Sequence, residues 1–396
     1  MQPLALSRFS LVTSLGAGQA ATIAALREGR SGLAPCTFAP APLPTYVGAV
    51  PELDTFNLTG EMAGFDCRNN RLAAMALEQD GFRAAVAAAR ERYGAARVGI
   101  FLGTSTSGIL ETEQAYRRRD GASGALPAQF NYAKTHDTYS VGAFVREYLQ
   151  LAGPTFVLST ACATTAKVFA NAARMVAAGI CDAAIVGGAD TLCATTLYGF
   201  RSLNVMAEEP CRPFAADRQG ISIGEAAGFA LLENPAAAHD GDKVLLLGVG
   251  ESSDAYHMSS PHPEGLGARL AMERALAAAG LRPDAIDYIN LHGTATPVGD
   301  AAEDHAVADL FGPGTPCSST KGATGHTLGA SGIVEAIFSA LGILHGLLPG
   351  SPHTRQRDPA LKSGYLIEGR AAAVDRVMSN SFGFGGVNCS LVLGRA

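Results

Sequence analysis

Short apolar runs recur along the chain, each followed by a longer Ala-rich stretch with helical spacing. Arg97–Leu102, Thr155–Leu158, Ala183–Val186, Val244–Val249 and Ile286–Leu291 read as strands, and their near-continuous apolar character predicts burial on both faces. Strands alternating with helices predict an α/β fold in which helices cover the sheets. Thr164–Ala178 is a strong helical stretch in the first part of the chain, and the stretch near Ile333–Leu344 is another in the second. The start, MQPLALSRFSLVTSLGAGQA, superficially resembles a secretory leader. Arg8 and its serines interrupt the apolar run and no basic region precedes it, so a strand over Ala5–Val12 leading through a Gly turn into a helix fits better. The most apolar stretch, Ala330–Pro349, carries Glu335, His345 and many small residues, which predicts a buried helix and not a membrane span.

This pattern breaks at Glu233–Asp242, where Pro, Ala and acidic residues predominate, so two units are expected over 1–238 and 239–396. The units echo each other. A strand ends at Gly103-Thr104-Ser105-Thr106 in the first and at Gly293-Thr294-Ala295-Thr296 in the second. Leu158-Ser159-Thr160-Ala161-Cys162 likewise has a counterpart in Cys317-Ser318-Ser319-Thr320-Lys321. An internal duplication would pack two similar halves face to face with a site at their junction; chance likeness between Gly/Thr loops is the competing explanation.

Composition narrows the class. With 396 residues, 47% of them hydrophobic and 17% charged, the chain can bury the core of a well-packed globular enzyme. A formal net charge of −6 argues against a broad nucleic-acid face. A local basic patch at Arg117-Arg118-Arg119, or at Arg68 with Arg71, could still receive an acidic partner, although a solvated helix face explains either cluster alone. The eight cysteines show neither metal-ligand spacing nor a compact disulfide pattern. Most are expected to be buried small hydrophobes in a reducing, cytoplasmic setting, with no metal bound.

Four segments carry candidate chemistry. Cys162 follows an apolar strand and precedes a helix, where unpaired N–H groups and the positive end of the dipole favour a thiolate. A buried structural cysteine fits the same local pattern. His292 ends a strand and enters a loop that also carries the hydroxyls of Thr294 and Thr296, a loop able to present an imidazole and hold an extended polar arm. Lys321 and His326 flank a glycine-containing turn without the Gly-x-x-x-x-Gly-Lys spacing of a nucleotide-binding loop. Glu335 lies deep in the apolar helix and needs a polar partner, for which Lys321 is the candidate. In Ser381-Phe382-Gly383-Phe384-Gly385-Gly386, glycines around two aromatic rings make a loop that can swing a ring or offer a backbone N–H.

Taken together, STACATTA around Cys162, NLHGTATPVGD around His292, STKGATGHTLGASG around Lys321 and His326, and SNSFGFGGVN around Phe384 resemble the β-ketoacyl-[acyl carrier protein] synthases of type I/II. CRPFAADRQGISIGEAAG, residues 211–228, resembles a further stretch of that family, and the likeness covers essentially the whole chain. The resemblance implies a thiolase fold, two related α/β halves in five α-β-α-β-α layers, usually as a homodimer and alternatively as the catalytic subunit paired with a homologous chain-length factor. It implies an acyltransferase that uses the 4'-phosphopantetheine arm of acyl carrier protein and binds no cofactor of its own. Residue by residue, it assigns Cys162 as nucleophile and His292 and His326 as donors to a malonyl thioester. Lys321 and Glu335 become their electrostatic support, Thr294 and Thr296 the pantetheine contacts, and Phe384 the gate, its N–H joining that of Cys162 in an oxyanion hole. Ile109 and Phe200 are expected in the acyl pocket, and Arg68 and Arg71 at the carrier-docking face. Ala215 and Ala226 depart from the family pattern, as does the N-terminal strand. These departures leave the Cys–His–His set intact and put housekeeping fatty-acid synthesis in doubt, so that fatty-acid, polyene and polyketide assembly all stay open. A thiolase would need a second catalytic Cys in the loop occupied here by Phe-Gly-Phe-Gly-Gly, and a type III synthase would need Asn at His326.

Overall fold

We describe a computed structural model of the chain that covers residues 1–237 and 244–396; the division expected between 238 and 239 lies outside these residues. Its main strands are β1 (Leu4–Thr13), β2 (Val98–Gly103), β3 (Thr155–Leu158), β4 (Ala183–Asp190), β5 (Ala226–Glu233), β6 (Val244–Ser253), β7 (Tyr288–Asn290), β8 (Pro316–Ser318), β9 (Arg376–Gly383) and β10 (Val387–Arg395). The first five lie side by side as β1-β5-β4-β2-β3 and the second five as β6-β10-β9-β7-β8, so both halves place their strands in the order first, fifth, fourth, second, third. The sense of pairing repeats as well. β2 runs parallel to β3 and β4 while β4 opposes β5, just as β7 runs parallel to β8 and β9 while β9 opposes β10. The two sheets join through a short antiparallel ladder between Leu4–Leu6 and Val244–Leu246.

Seven helices matter here: α1 (Arg68–Leu77), α2 (Ser140–Tyr148), α3 (Thr164–Ala177), α4 (Ala194–Ser202), α5 (Leu266–Ala279), α6 (Pro297–Phe311) and α7 (Ser331–His345). Along β4, Ala183 and Ile185 enter a core with Leu72 of α1 and Phe144 of α2, whereas Ala184 and Val186 face the opposite way, toward Phe169 of α3 and Ile337 of α7. This two-residue alternation between two apolar faces explains why the strands read as unbroken hydrophobic runs. On the far side, Met272 and Leu276 of α5 pack on Ile289 and Val392. The layers are therefore α1/α2, first sheet, α3/α7, second sheet, α5/α6: the five-layered thiolase arrangement.

The apolar stretch of the second half is α7, buried from Ser331 to Ile343 in the middle layer. It meets α3 almost backbone to backbone. A side-chain carbon at Gly332 would lie 2.3 Å from the Ala166 nitrogen, so only glycine fits there. That close approach brings the loops before both helices together, and Cys162 and His326 lie on those two loops.

Candidate active site

Cys162 sits in the tight turn between β3 and α3. Ala161 just before it has φ +51°, a left-handed conformation that L-residues adopt only when their surroundings impose it. Thr164 supplies the restraint: its hydroxyl accepts the Thr160 N–H at 2.8 Å and donates to the Ala161 carbonyl. Gly383, at the end of β9, passes so near that a side-chain carbon there would lie 3.2 Å from the Cys162 nitrogen. The backbone N–H groups of Phe384, which follows, and of Cys162 itself act on the Cys162 sulfur in the sense that favours its anion.

The second half delivers the imidazoles. His326 Nε2 lies 2.9 Å from Cys162 Sγ, and its Nδ1 lies 2.9 Å from Ser331 Oγ. His292 Nδ1 lies 3.4 Å from Lys321 Nζ, and Lys321 in turn donates to Glu335 Oε1. One sulfur and two ring nitrogens from Cys162, His292 and His326 all fall within 4.8 Å of one another. An ammonium can only donate, so His292 Nδ1 accepts and its proton resides on Nε2. The loop carrying His292 is held from below: Glu303 accepts its backbone N–H at 2.8 Å and that of Gly293 at 2.7 Å, while Asp300 accepts the Ala295 N–H at 3.0 Å.

Burial dominates the electrostatics. It holds both His292 and His326 well below the usual imidazole range, reinforced by the nearby Lys321 charge, so both rings are neutral at pH 7. Burial pushes Glu335 up to about 7, against the opposing Lys321 charge, and pushes Glu303 to about 7 against its two N–H donors. Cys162 corrects the sequence reading. Burial pushes its thiol up to about 11, overriding the Lys321 charge and the two backbone N–H groups that favour the anion. The resting nucleophile is thus a thiol beside a neutral imidazole, not a free thiolate. A difference titration of thiolate ultraviolet absorbance between the wild type and Cys162→Ala is expected to show no step near neutrality and a midpoint near 11.

Two cavities meet at the nucleophile. One, about 300 Å³, reaches the surface past Thr294, Thr296 and Val298 and ends on Cys162, His292 and His326. The other, about 490 Å³, extends from Cys162 along Gly199, Leu203 and Leu328. Phe200 and Phe384 line both, their ring centroids 5.8 Å apart. The structure thus assembles Cys162, His292, His326, Lys321, Glu335, Thr294, Thr296, Phe200 and Phe384 in one place.

Three expectations fall outside it. Ile109 opens a half-buried helix and lines neither cavity; Ser105, Leu328 and Gly329 line the larger one instead. Arg68 is not a docking residue, because it is buried in a pair with Glu225 at 2.7 Å and also reaches Asp54. Arg71 is occupied by Asp66 at 2.6 Å. The residues missed were Glu303, Asp300 as a support and Ser331. Asp300 and Glu303, three residues apart in the first turns of α6, form a buried acidic pair directly after the His292 loop, and that spacing was a usable signal.

Fold and site together define a thiolase-fold condensing enzyme with a Cys–His–His centre. The family model for the β-ketoacyl synthase N-terminal domain matches residues 60–238, and that for the C-terminal domain matches residues 244–355. The chain is 32% identical over 381 residues to 3-oxoacyl-[acyl-carrier-protein] synthase 2 of Vibrio cholerae, covering 87% of this chain and 91% of that one. It is 44% identical to the mitochondrial 3-oxoacyl-[acyl-carrier-protein] synthase of Arabidopsis thaliana over 258 residues, 61% of this chain and 56% of that relative, so this match spans about half of the relative's length. Among solved structures, a ketosynthase in complex with its chain length factor from Xenorhabdus doucetiae superposes with a TM-score of 0.89 at 39% identity, covering 100% and 98% of the two chains. The chain belongs to the β-ketoacyl synthase family.

Proposed function

We propose that this chain takes an acyl group from acyl carrier protein onto Cys162 and condenses it with malonyl carrier protein, losing CO₂. The observation that carries the reading is the convergence of Cys162, His292 and His326 within 4.8 Å at the meeting point of two cavities. The thiol attacks the acyl–pantetheine thioester through the 300 Å³ tunnel, where Thr294 and Thr296 line the path of the arm. The pantetheine sulfur leaves with the thiol proton, and the acyl chain occupies the 490 Å³ cavity. Malonyl thioester then enters; as its carboxylate departs as CO₂, the electron pair moves onto the thioester oxygen. Neutral His292 and His326 stabilise that oxygen through Nε2–H donors. The enolate carbon attacks the Cys162 thioester, whose oxyanion is held by the N–H groups of Cys162 and Phe384. The carbon–sulfur bond breaks and the cysteine sulfur recovers a proton from solvent. Loss of CO₂ makes the condensation effectively irreversible.

A second reading concerns assembly: a heterodimer with a chain-length-factor subunit, in a specialised polyene or polyketide pathway. It is supported by the 39% identical ketosynthase solved with such a partner, by the edge strand β3, where Phe156 is 46% exposed, and by the exposed Leu203, which lines the larger cavity. The eight free cysteines are consistent with a reducing cytoplasm. Purified chain, mixed with acyl and malonyl carrier proteins and followed by mass spectrometry, is expected to yield a 3-oxoacyl carrier two carbons longer than the primer. No product alone, with product on adding a homologous subunit, selects the heterodimer. No product under either condition overturns the condensing reading.

A further inference from the structure

The two histidines have buried partners of different kinds. Lys321 can only donate, which fixes His292 as an Nε2–H donor. Ser331 Oγ, 2.9 Å from His326 Nδ1, can donate or accept, and it lies 3.2 Å from the hydroxyl of Thr327. Both hydroxyls are almost fully buried, at 1% and 2% exposure, so water does not serve Nδ1 in their place. In one arrangement His326 Nδ1–H donates to Ser331, whose O–H donates on to Thr327, and Nε2 offers a lone pair to the Cys162 thiol 2.9 Å away. In the other, Thr327 donates to Ser331, Ser331 donates to Nδ1, and Nε2 carries the proton. His326 Nδ1 has a hydrogen-bond partner in either arrangement.

We propose that Ser331, backed by Thr327, is a positioning residue that lets His326 hold its proton on either ring nitrogen, so that one imidazole serves both half-reactions. This rests on the condensing reading above. In acylation, Nε2 takes the thiol proton as the sulfur–carbon bond forms and returns it to the departing pantetheine sulfur. In decarboxylation, Nε2–H donates to the thioester oxygen. Resetting between the two moves one proton onto Nε2 from tunnel water and one off Nδ1 through the Ser331 and Thr327 hydroxyls, with no net change on the ring. His292, with its donor-only partner, performs the second task alone.

Ser331→Ala separates the tasks. Without an acceptor, a buried Nδ1–H is unsatisfied, so the ring is driven to the Nε2–H form. Single-turnover acylation of Cys162 by acyl carrier protein is expected to slow about tenfold, while malonyl carrier decarboxylation changes by less than about twofold. A structural disturbance would lower both alike. If Ser331→Ala does not fold, as judged by thermal melting, the same split is read in Ser331→Cys, which preserves size but is a poor acceptor. Equal effects on both half-reactions, or none, overturn the inference. Wild type run in parallel guards the underlying reading, since wild type that neither acylates nor decarboxylates defeats the condensing assignment itself.

Discussion

Cys162→Ala is expected to lower acyl transfer and chain extension by at least about 10,000-fold, because among the described residues no second thiol lines either cavity. Six of the other seven cysteines are buried elsewhere and the seventh, Cys36, is half-buried against Ala41, outside both cavity linings. The fold is expected to persist. The change removes one sulfur and its 2.9 Å contact with His326, leaving α3 and its packing untouched. A melting temperature within a few degrees of wild type would agree with that small change. Decarboxylation is expected to outlast acyl transfer in this variant, because His292, His326 and Lys321 remain. Mass spectrometry of the intact chain after incubation with acyl carrier protein reads the first claim, and release of CO₂ from malonyl carrier reads the last. An alanine variant that still extends an acyl chain would remove Cys162 from the mechanism.

Much of this site was legible because its chemistry is written in short, contiguous segments. Cys162, His292 and His326 each sit at a strand end or helix start, and each brings its own glycines and hydroxyls. The fold was legible for a related reason: both faces of each sheet are covered, so strands such as Ala183–Asp190 appear as unbroken apolar runs. Even the duplication left a trace, since the echoing Gly103 and Gly293 loops follow β2 and β7, which occupy equivalent places in the two sheets.

What the sequence concealed depends on contacts between distant segments. Arg68 reads as half of a basic cluster because its neutraliser, Glu225, lies far along the chain, and only folding brings the two to 2.7 Å. Ile109 sits close to the larger cavity in sequence, yet the turn at Ser105 lines it and Ile109 does not. The thiol's protonation also escaped. A helix start favours the anion locally, but desolvation by the whole middle layer is larger, and no local spacing reports it.

The same balance between burial and charge gives the second large effect, at Lys321. This ammonium has two tasks: it fixes the His292 tautomer at 3.4 Å and neutralises Glu335, whose other oxygen has no hydrogen-bond partner among the described residues. Lys321→Met removes both. Decarboxylation is expected to fall about 100- to 1,000-fold, the scale for losing a fixed charge and a donor's orientation beside a developing oxyanion. Stability is expected to drop by as much as ~3–5 kcal/mol, the range for leaving one member of a buried pair uncompensated. The loss should depend on pH with a definite sign. Glu335 in the folded protein is already pushed from 4.5 to about 7, and without Lys321 it rises further. The folded variant therefore binds a proton that the unfolded chain does not, so its stability falls as pH increases from the ordinary carboxylate range through neutrality, and most of the deficit vanishes near pH 5. Adding Glu335→Gln should return stability at pH 8 without returning activity, because the amide needs no counter-charge while His292 still lacks its donor. Urea denaturation at several pH values, paired with decarboxylation assays, separates the two tasks. A double variant that regains both would reduce Lys321 to a structural counter-ion, whereas a stability loss independent of pH would mean that Glu335 is not the group it neutralises.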